Sequence, residues 1–302
     1  MTENEMKRCG FVALVGAPNA GKSTLVNALV GSKVSIVSRK AQTTRSQVRG
    51  IAIVGGTQLV FVDTPGIFAP KRRLDKAMVS SAWSGAADAD AILLIVDARR
   101  GVDDEVEAIV TRLADLRVPR TLALNKVDLV ERPALLTLSA ALNARLSFAE
   151  TFMISALTGD GLERVRDSLA AMMKPGPWLY PDDQISDAPL RSLAAEITRE
   201  AILDRLHDEL PYQLTVETDQ WKDMRDGSVR IEQTIYVARE GHKKIVIGEK
   251  GQMLKTIGTI ARKAIAEAAD TKVHLFLFVK VREKWADDPE RYREMGLEFP
   301  RD

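Results

Sequence analysis

The chain has 302 residues, a formal net charge of +1, and a composition that is 45% hydrophobic and 28% charged. A length of this order predicts two domains, and the near-neutral charge excludes a chain that is basic throughout. The single cysteine, Cys9, excludes an internal disulfide and favours a reducing compartment. The first ten residues lack the apolar core of a secretory signal, and no apolar run reaches the roughly 18 residues of a membrane span. We therefore expect a cytoplasmic protein.

Strand patterns and helix patterns alternate over the first 175 residues. The strand-like runs are GFVALVG, QLVFVDT, AILLIVDA, RTLALNKVD and ETFMISA. Helix-like runs such as DEVEAIVTRLADL and GLERVRDSLAAMM separate them. This alternation predicts an α/β domain over residues 1–175, with a mostly parallel sheet covered by helices. Gly55-Gly56, between GIAIV and TQLVFV, predicts a hairpin and one antiparallel pair.

Four prolines between residues 175 and 189 predict the end of this domain, and we interpret residues 176–189 as a fairly stiff linker. From residue 190 to 302 the order of elements changes. A helix (190–210) precedes two strands joined by an Asp226-Gly227 turn, and a second helix and a last strand follow. This order predicts an α+β domain.

A phosphate-binding loop follows the first strand. The sequence matches G-x-x-x-x-G-K-S/T, with a strand before it and a helix after it. Backbone N–H groups at a helix N-terminus attract phosphate, and glycines let the backbone curve around it. Lys22 is suited to the β- and γ-phosphates and Ser23 to Mg²⁺. The predicted nucleotide contacts of this loop are Gly16, Ala17, Pro18, Asn19, Ala20, Gly21, Lys22, Ser23 and Thr24.

The run NKVD predicts which base is bound. The Asp128 carboxylate can accept hydrogen bonds from N1–H and N2–H₂ of guanine, a donor pair that adenine lacks. Ser155-Ala156 ends another strand and is placed to offer backbone N–H groups to the same base. The predicted guanine contacts are Asn125, Lys126, Val127, Asp128, Ser155 and Ala156.

The run DTPG ends the strand QLVFV. Asp63 is suited to hold Mg²⁺ through water, and the Gly66 N–H to bond the γ-phosphate. We add Thr64, Pro65 and Ile67 to the predicted nucleotide contacts. Together with NKVD, this set resembles the translation-factor-related class of GTP-binding domains.

That resemblance implies a mobile loop with a threonine that coordinates Mg²⁺ only in the GTP state. The candidate loop is VSRKAQTTRSQ, residues 37–47. Thr43 and Thr44 are both candidates, and we favour Thr44 because it precedes Arg45, as is common in the class. Mg²⁺ would then be held by Ser23, Thr44 and Asp63, with catalysis assigned to Lys22, Thr44 and Gly66. In Ras-like proteins a glutamine after the equivalent of Gly66 orients the attacking water, whereas Ile67 cannot bond water. We therefore expect slow hydrolysis of GTP without a partner.

The second domain contains VIGEKGQMLKTIG, which resembles the signature of prokaryotic-type (type II) KH domains. The resemblance implies a G-x-x-G loop that holds single-stranded RNA by its backbone. It also implies a short helix at KKIVIG, which the β-branched residues alone would make a strand. Phe276 and Phe278, in the last strand, are expected to be packed. The predicted RNA contacts are Lys243, Lys244, Gly248, Glu249, Lys250, Gly251, Lys255 and Arg262.

Charge supports an RNA-binding second domain. Between Arg239 and Lys284 there are eleven basic and five acidic residues, a net charge of +6 that the near-neutral total conceals. A solvated helix face would explain any one of these cations. Their concentration around the G-x-x-G loop favours RNA.

The order GAPNAGKST, DTPGI, NKVD, ISA and VIGEKGQMLKTIG resembles the Era-like GTPase family along the whole chain. The resemblance implies a monomeric GTPase, with GTP or GDP and Mg²⁺ bound. It implies binding to the 3′ end of 16S ribosomal RNA, assistance in maturation of the small ribosomal subunit, and partial association with the inner membrane. Two alternatives stay open: a constitutive RNA-binding protein with a structural nucleotide site, and a GTPase directed to transfer RNA or a membrane.

Overall fold

The computed structural model describes residues 7–38, 40, 43–206, 210–283 and 285–300. The chain forms two compact units. The first contains residues 1–35, 44–187 and 295–302, and the second contains residues 36–43 and 188–294. The division into a domain at residues 1–175, a linker at 176–189 and a domain at 190–302 stays a prediction. Within the described ranges, no helix is long and apolar enough to cross a lipid bilayer.

The first unit is built on a six-stranded sheet. Its strands are β1 (Arg8–Val15), β2 (Val48–Val54), β3 (Thr57–Asp63), β4 (Ala91–Asp97), β5 (Arg120–Asn125) and β6 (Thr151–Ile154). Their order across the sheet is β2-β3-β1-β4-β5-β6. Only β2 and β3 pair antiparallel, through the predicted hairpin; the other pairs are parallel. Every residue of β3 is buried, as expected for a strand covered on both faces.

Helices cover both faces of this sheet, as predicted. They are α1 (Lys22–Val30), α2 (Arg73–Ala87), α3 (Asp104–Leu113), α4 (Arg132–Arg145) and α5 (Leu162–Met172). One apolar core lies under α1 and α5, and the other under α2, α3 and α4. Because parallel strands end at the same edge, Asp63, Asp97 and Asn125 come together at the carboxyl end of the sheet.

Residues that were predicted to form the linker cover the outer edge of β2. The Ile51 amide N lies 2.9 Å from the Ile185 carbonyl O, and Gly50 pairs with Ser186 as an isolated antiparallel bridge. Arg49 forms an ion pair with Asp187 at 2.8 Å. Up to Asp187 this stretch therefore belongs to the first unit.

The second unit carries a three-stranded sheet in the order β7-β8-β9. The strands are β7 (Leu214–Asp223), β8 (Val229–Val237) and β9 (Val273–Val281). The pair β7/β8 is antiparallel, and the pair β8/β9 is parallel. The helices are α6 (Leu190–Arg205), α7 (Glu240–Ile247), α8 (Gln252–Ala268) and α9 (Pro289–Glu294). The predicted first helix ends five residues early, and residues 207–209 lie outside the described ranges.

Two local predictions meet opposite outcomes here. KKIVIG lies in a helix, α7, up to Ile247, so the resemblance was right and the β-branched pattern was misleading. The expectation that Phe276 and Phe278 are packed is wrong, because they are 43% and 48% exposed. Residues of β9 alternate, and Leu275 and Leu277 take the side that packs on the helices. The phenylalanines therefore face solvent.

Candidate nucleotide site and nucleic-acid interface

The phosphate loop joins β1 to the first turn of α1, and its glycines are required by space. A Cβ on Gly16 would lie 2.4 Å from the Ile95 carbonyl O. Gly21 has φ +100°, and a Cβ there would lie 2.3 Å from the Asn125 side-chain nitrogen. Only glycine meets both conditions without displacing a neighbouring strand end. The loop therefore follows a tight path that leads into the N-terminus of α1, where the backbone N–H groups of a helix attract phosphate.

Lys22 lies inside this loop. Its Nζ donates to the carbonyl oxygens of Gly16 and Ala17, both at 3.0 Å, and the residue is 7% exposed. Burial lowers the pKa of Lys22 to about 8, opposed by the charges of Asp63 and Glu105. A phosphate beside Nζ would supply the anionic partner that a buried ammonium requires.

Asp63 is the centre of a cluster of hydroxyl groups. Its Oδ2 accepts from Ser23 Oγ and Ser35 Oγ, both at 2.7 Å, and from Thr44 Oγ1 at 3.4 Å. Ser23 Oγ lies 2.9 Å from Thr44 Oγ1. Burial raises the pKa of Asp63, while the hydroxyl bonds and the charge of Lys22 oppose the rise.

This cluster fits Mg²⁺. The other oxygen of Asp63, Oδ1, is buried and has no hydrogen-bond partner in the described part of the chain. Hydroxyl and carboxylate oxygens are the hard ligands that Mg²⁺ takes, and it keeps waters that a carboxylate can hold. The three residues predicted to hold the metal are thus together, and the unpartnered oxygen offers an acceptor for a metal-bound water.

The geometry supports Thr44 over Thr43 as the switch threonine, the residue expected to coordinate Mg²⁺ in the GTP state. The hydroxyl of Thr44 reaches Ser23 and Asp63, whereas that of Thr43 bonds the Lys40 carbonyl at 2.7 Å. Residues 39, 41 and 42 of the predicted mobile loop lie outside the described ranges.

The NKVD turn is anchored to the phosphate loop. The Asn125 side chain is buried; it donates to the Ala20 carbonyl at 2.8 Å and accepts from the Ala156 amide at 2.9 Å. Lys126, at φ 67°, donates to the Asn19 carbonyl at 2.8 Å and forms an ion pair with Asp97 at 2.6 Å. Asp128 lies in a 3₁₀ turn, Val127–Leu129, and is exposed. Asn125 and Lys126 fix the turn, and Asp128 is left accessible to a base.

The loop that carries Ser155 and Ala156 lies beside Asn125. The Ser155 amide donates to the Asp160 carbonyl at 3.1 Å, and the Ala156 amide donates to Asn125. Both N–H groups are therefore engaged within the protein in this arrangement, and their contact with guanine stays a prediction.

The DTPG strand end contacts the phosphate loop closely. A Cβ on Gly66 would lie 2.9 Å from Pro18 Cα, and the Ile67 amide N is 3.1 Å from the Gly16 carbonyl O. Thr64 is buried and donates to the Leu14 carbonyl at 2.7 Å. The Ile67 side chain packs in the apolar core beneath α2 and α3. It therefore presents no polar group to an attacking water.

Two residues of this site were not predicted. Ser35 donates to Asp63, and Asp97 holds Lys126. Asp97 had a usable signal, because it ends the strand AILLIVD just as Asp63 and Asn125 end theirs. Ser35 had none, because a serine in a polar loop is common.

The G-x-x-G loop of the second unit lies between α7 and α8. Gly248 has φ +71°, and a Cβ there would lie 2.6 Å from Met253 Cβ. Gly251 has φ +78°, and a Cβ there would meet nothing within 4 Å. Lys250, at φ 49°, also has a left-handed backbone. Gly248 is therefore needed for packing, and the free space at Gly251 leaves the backbone open to a ligand.

Basic side chains surround this loop. Lys244, Lys250, Lys255 and Arg262 are exposed and Lys243 is half-buried. Among the described residues none of the five forms an ion pair. Glu249 is exposed in the same loop, and Lys284, one of the cations counted in the sequence, lies outside the described ranges. Unpaired cations beside an open backbone are what phosphate binding requires.

The comparison with known proteins covers the chain from end to end. GTPase Era of Afipia carboxidovorans is 65% identical over 295 residues, which is 98% of this chain and 96% of that protein. The chain belongs to the Era family of GTPases. GTPase Era of Mesorhizobium japonicum is 62% identical over 99% of this chain and 96% of its own length.

Family models and solved structures agree with membership of the Era family. A 50S ribosome-binding GTPase model matches residues 11–126, and a KH domain model matches residues 209–286. A crystal structure of Era with MgGDPNP and nucleotides 1506–1542 of 16S ribosomal RNA has a TM-score of 0.90 and 38% identity. It covers 96% of this chain and 99% of that one. A variant of Aquifex aeolicus Era bound to GDP·AlF₄⁻ gives the same values. The predicted fold, a P-loop GTPase domain followed by a KH domain, is confirmed.

Proposed function

We propose that this Era-family GTPase binds 16S ribosomal RNA near its 3′ end through the second unit and assists maturation of the small ribosomal subunit. The observation that carries the RNA part is the open backbone at Gly251 beside exposed, unpaired lysines. The crystal structure of Era with a 16S RNA fragment supports it, because the two chains match over nearly their full lengths. We place the protein in the cytoplasm as a monomer; a peripheral contact with the inner membrane rests on the family resemblance alone.

In the proposed reaction, water attacks the γ-phosphate of GTP in line with the leaving GDP. Lys22 stabilises the charge that develops on the phosphate oxygens, and the Gly66 amide bonds the γ-phosphate. Bound Mg²⁺ would neutralise charge on the β- and γ-phosphates, held by Ser23 and Thr44 and, through water, by Asp63. Because Ile67 presents no polar side-chain group, the attacking water is oriented by backbone groups, a bound ion or a partner, and hydrolysis is slow without a partner.

The Asp128 carboxylate recognises guanine, and its exposed position leaves both oxygens available to the base. On the RNA side, the backbone of residues 248–251 approaches the phosphates. The flanking cations Lys243, Lys244, Lys250, Lys255 and Arg262 add charge, and Glu249 lies within the loop.

We further propose that GTP with Mg²⁺ orders residues 38–46 and thereby favours RNA binding. By linkage, RNA must tighten GTP relative to GDP by the same factor. This distinguishes a switch from a constitutive RNA-binding protein, for which the nucleotide makes no difference.

The test is fluorescence anisotropy with a labelled single-stranded RNA of the 16S 3′ sequence and a scrambled RNA as control. We expect tighter binding of the 16S sequence with GDPNP than with GDP. The Lys250→Gln variant should weaken binding and reduce the slope of log affinity against log salt by about one. Lys76→Gln, at an exposed site on α2, is the matched control and should change neither. Equal affinities for the two RNAs, or in the two nucleotide states, would contradict the proposal.

A further inference from the structure

Residues 36–43 overlap the loop at residues 38–46 that we propose to be ordered by GTP, and they belong to the second unit. The chain leaves the first unit after Ser35 and returns at Thr44. Ile36 is 2% exposed and lies in the apolar core formed by α6, α7, α8 and the three-stranded sheet. The Val37 amide N lies 2.7 Å from Glu200 Oε1, on α6. The loop is therefore built into the unit that carries the G-x-x-G motif.

Further along the segment, Lys40 caps α6. Its Nζ donates to the carbonyl oxygens of Leu203 and Leu206 at the C-terminal end of the helix. The last carbonyls of a helix have no partner within it, and a cation there is also favoured by the helix dipole. The end of α6 and the loop thus satisfy each other's polar groups.

Arg199 contacts the last residue of the segment, Thr43. It is a large side chain that is only 1% exposed, and its Nη2 donates to the Thr43 carbonyl. Glu196, one turn earlier on α6, holds the guanidinium by an ion pair and by a 2.9 Å bond to Nε. Nη1 is buried and has no partner in the part of the chain that the structure describes. A guanidinium placed this way is held by its neighbours in one orientation.

The Thr43 carbonyl matters because Thr44 is the next residue. The peptide bond is planar, so the carbonyl of Thr43 and the N and Cα of Thr44 lie in one plane. Fixing the Thr43 carbonyl therefore fixes the orientation of the peptide plane that leads into Thr44. The Thr44 hydroxyl lies 2.9 Å from Ser23 Oγ and 3.4 Å from Asp63 Oδ2.

We propose that Arg199 is a positioning residue for Thr44: by holding the Thr43 carbonyl, it keeps the Thr44 hydroxyl where the metal of bound MgGTP requires it. The proposal rests on the function proposed above, because it takes Thr44 to be the switch threonine. It places in α6, outside the GTPase motifs, a residue that sets the affinity for the triphosphate state. Glu196 and Lys40 support the same arrangement, and Arg199 bonds the carbonyl of the residue that precedes Thr44.

The test uses the full chain with Arg199→Met, which keeps an unbranched apolar side chain but removes the donors. Fluorescent GDPNP and GDP are titrated at varied Mg²⁺. We expect Mg²⁺-dependent affinity for GDPNP to fall about 10-fold, while affinity for GDP changes less than about 2-fold. The control is Arg191→Met, also on α6, because Arg191 likewise donates to backbone carbonyls, those of Thr218 and Asp219. It should leave the ratio of the two affinities unchanged.

A double-mutant cycle separates positioning from general stability. In a Thr44→Ala background, Arg199→Met should cause no further loss of GDPNP affinity. If Arg199→Met weakens GDP and GDPNP equally, or adds its full effect to Thr44→Ala, the proposal is overturned. If the methionine variant does not fold, Arg199→Lys, which keeps the charge but loses the planar fork, is measured instead. A loss of GDPNP affinity without loss of GDP affinity then supports the proposal, and an equal loss of both overturns it. If RNA binding by the wild type does not depend on the nucleotide, the proposed function is wrong. The measured effect of Arg199 on GDPNP affinity is independent of that outcome.

Discussion

Asp128, which we propose to recognise guanine, and Asn125 have different surroundings in the NKVD turn. Asn125 is buried and engaged on both its oxygen and its nitrogen, and it connects the turn to Ala20 and Ala156. Asp128 is exposed, in a turn fixed by its neighbours. The backbone that carries the carboxylate is therefore in place without the nucleotide, so little ordering of the turn is needed on binding.

The Asp128→Asn variant is expected to exchange guanine for xanthine. The amide oxygen can still accept from N1–H, but the amide N–H₂ faces the N2–H₂ donors of guanine and suits the C2 carbonyl of xanthine. GTP affinity should fall about 100-fold or more, because a bond to a charged group is lost and two donors are opposed. Calorimetry with GTP and XTP measures this. Asp115→Asn, at an exposed site after α3, should bind both nucleotides as the wild type does. A variant that still prefers GTP would show that another group reads the base.

The residues of the nucleotide site were predictable wherever a local pattern carries the chemistry. The spacing of Gly16, Gly21 and Lys22 is such a pattern, and so is NKVD. Ser35 and the partner acceptors of the Ser155 and Ala156 amides were not predictable, because their roles arise from contacts between distant parts of the chain. Ser35 meets Asp63 across 28 positions, and no periodicity encodes that distance.

At the scale of elements, a buried glutamine helps to hold the stretch after α5. Gln58, in β3, accepts from the amides of Leu179 and Tyr180 at 2.9 and 3.1 Å, and donates to the Tyr180 carbonyl at 2.8 Å. It is 0% exposed. A glutamine side chain that satisfies three backbone groups at once fixes this stretch against the sheet.

The Gln58→Leu variant is expected to destabilise the first unit by about 2–4 kcal/mol, because two partly buried amides and a carbonyl lose their partner on Gln58. Its melting temperature should fall by roughly 5–10 °C. Thermal denaturation followed by circular dichroism measures the fall, and limited proteolysis should cut first between residues 176 and 187. Gln220→Leu, at an exposed position of β7, should leave this transition in place. An unchanged melting temperature would mean that water satisfies these groups.

Most elements were predictable from periodicity, and the exceptions have a physical cause. A short run with three consecutive β-branched residues does not distinguish strand from helix, so KKIVIG needed the family resemblance. The alternation in β9 was visible, but both faces carry apolar residues. Which face meets the helices depends on the packing of α8, where Gly258 lies close to Leu277. The exposure of Phe276 followed only from that packing.

At the scale of the whole molecule, the division of the chain differs from what sequence order suggests. Residues 36–43 lie in the second unit, although they stand between α1 and β2 of the first. Composition could not indicate this, because the segment is short, polar and surrounded by motifs of the GTPase. It results from long-range contacts with α6, which only the folded chain brings together.

Because residues 185 and 186 cover the edge of β2, truncated fragments should differ in their tendency to self-associate. A strand at the rim of a sheet offers unpaired N–H and C=O groups to any other strand, and β2 is covered there by Ile185 and Ser186. A fragment that ends at residue 175 should expose this rim and self-associate, whereas one that ends at residue 187 should stay monodisperse in size-exclusion chromatography with light scattering. Residues 176–187 would then protect the first unit from aggregation by covering the edge of β2. Any movement that uncovered β2 during the GTPase cycle would make the protein prone to aggregate.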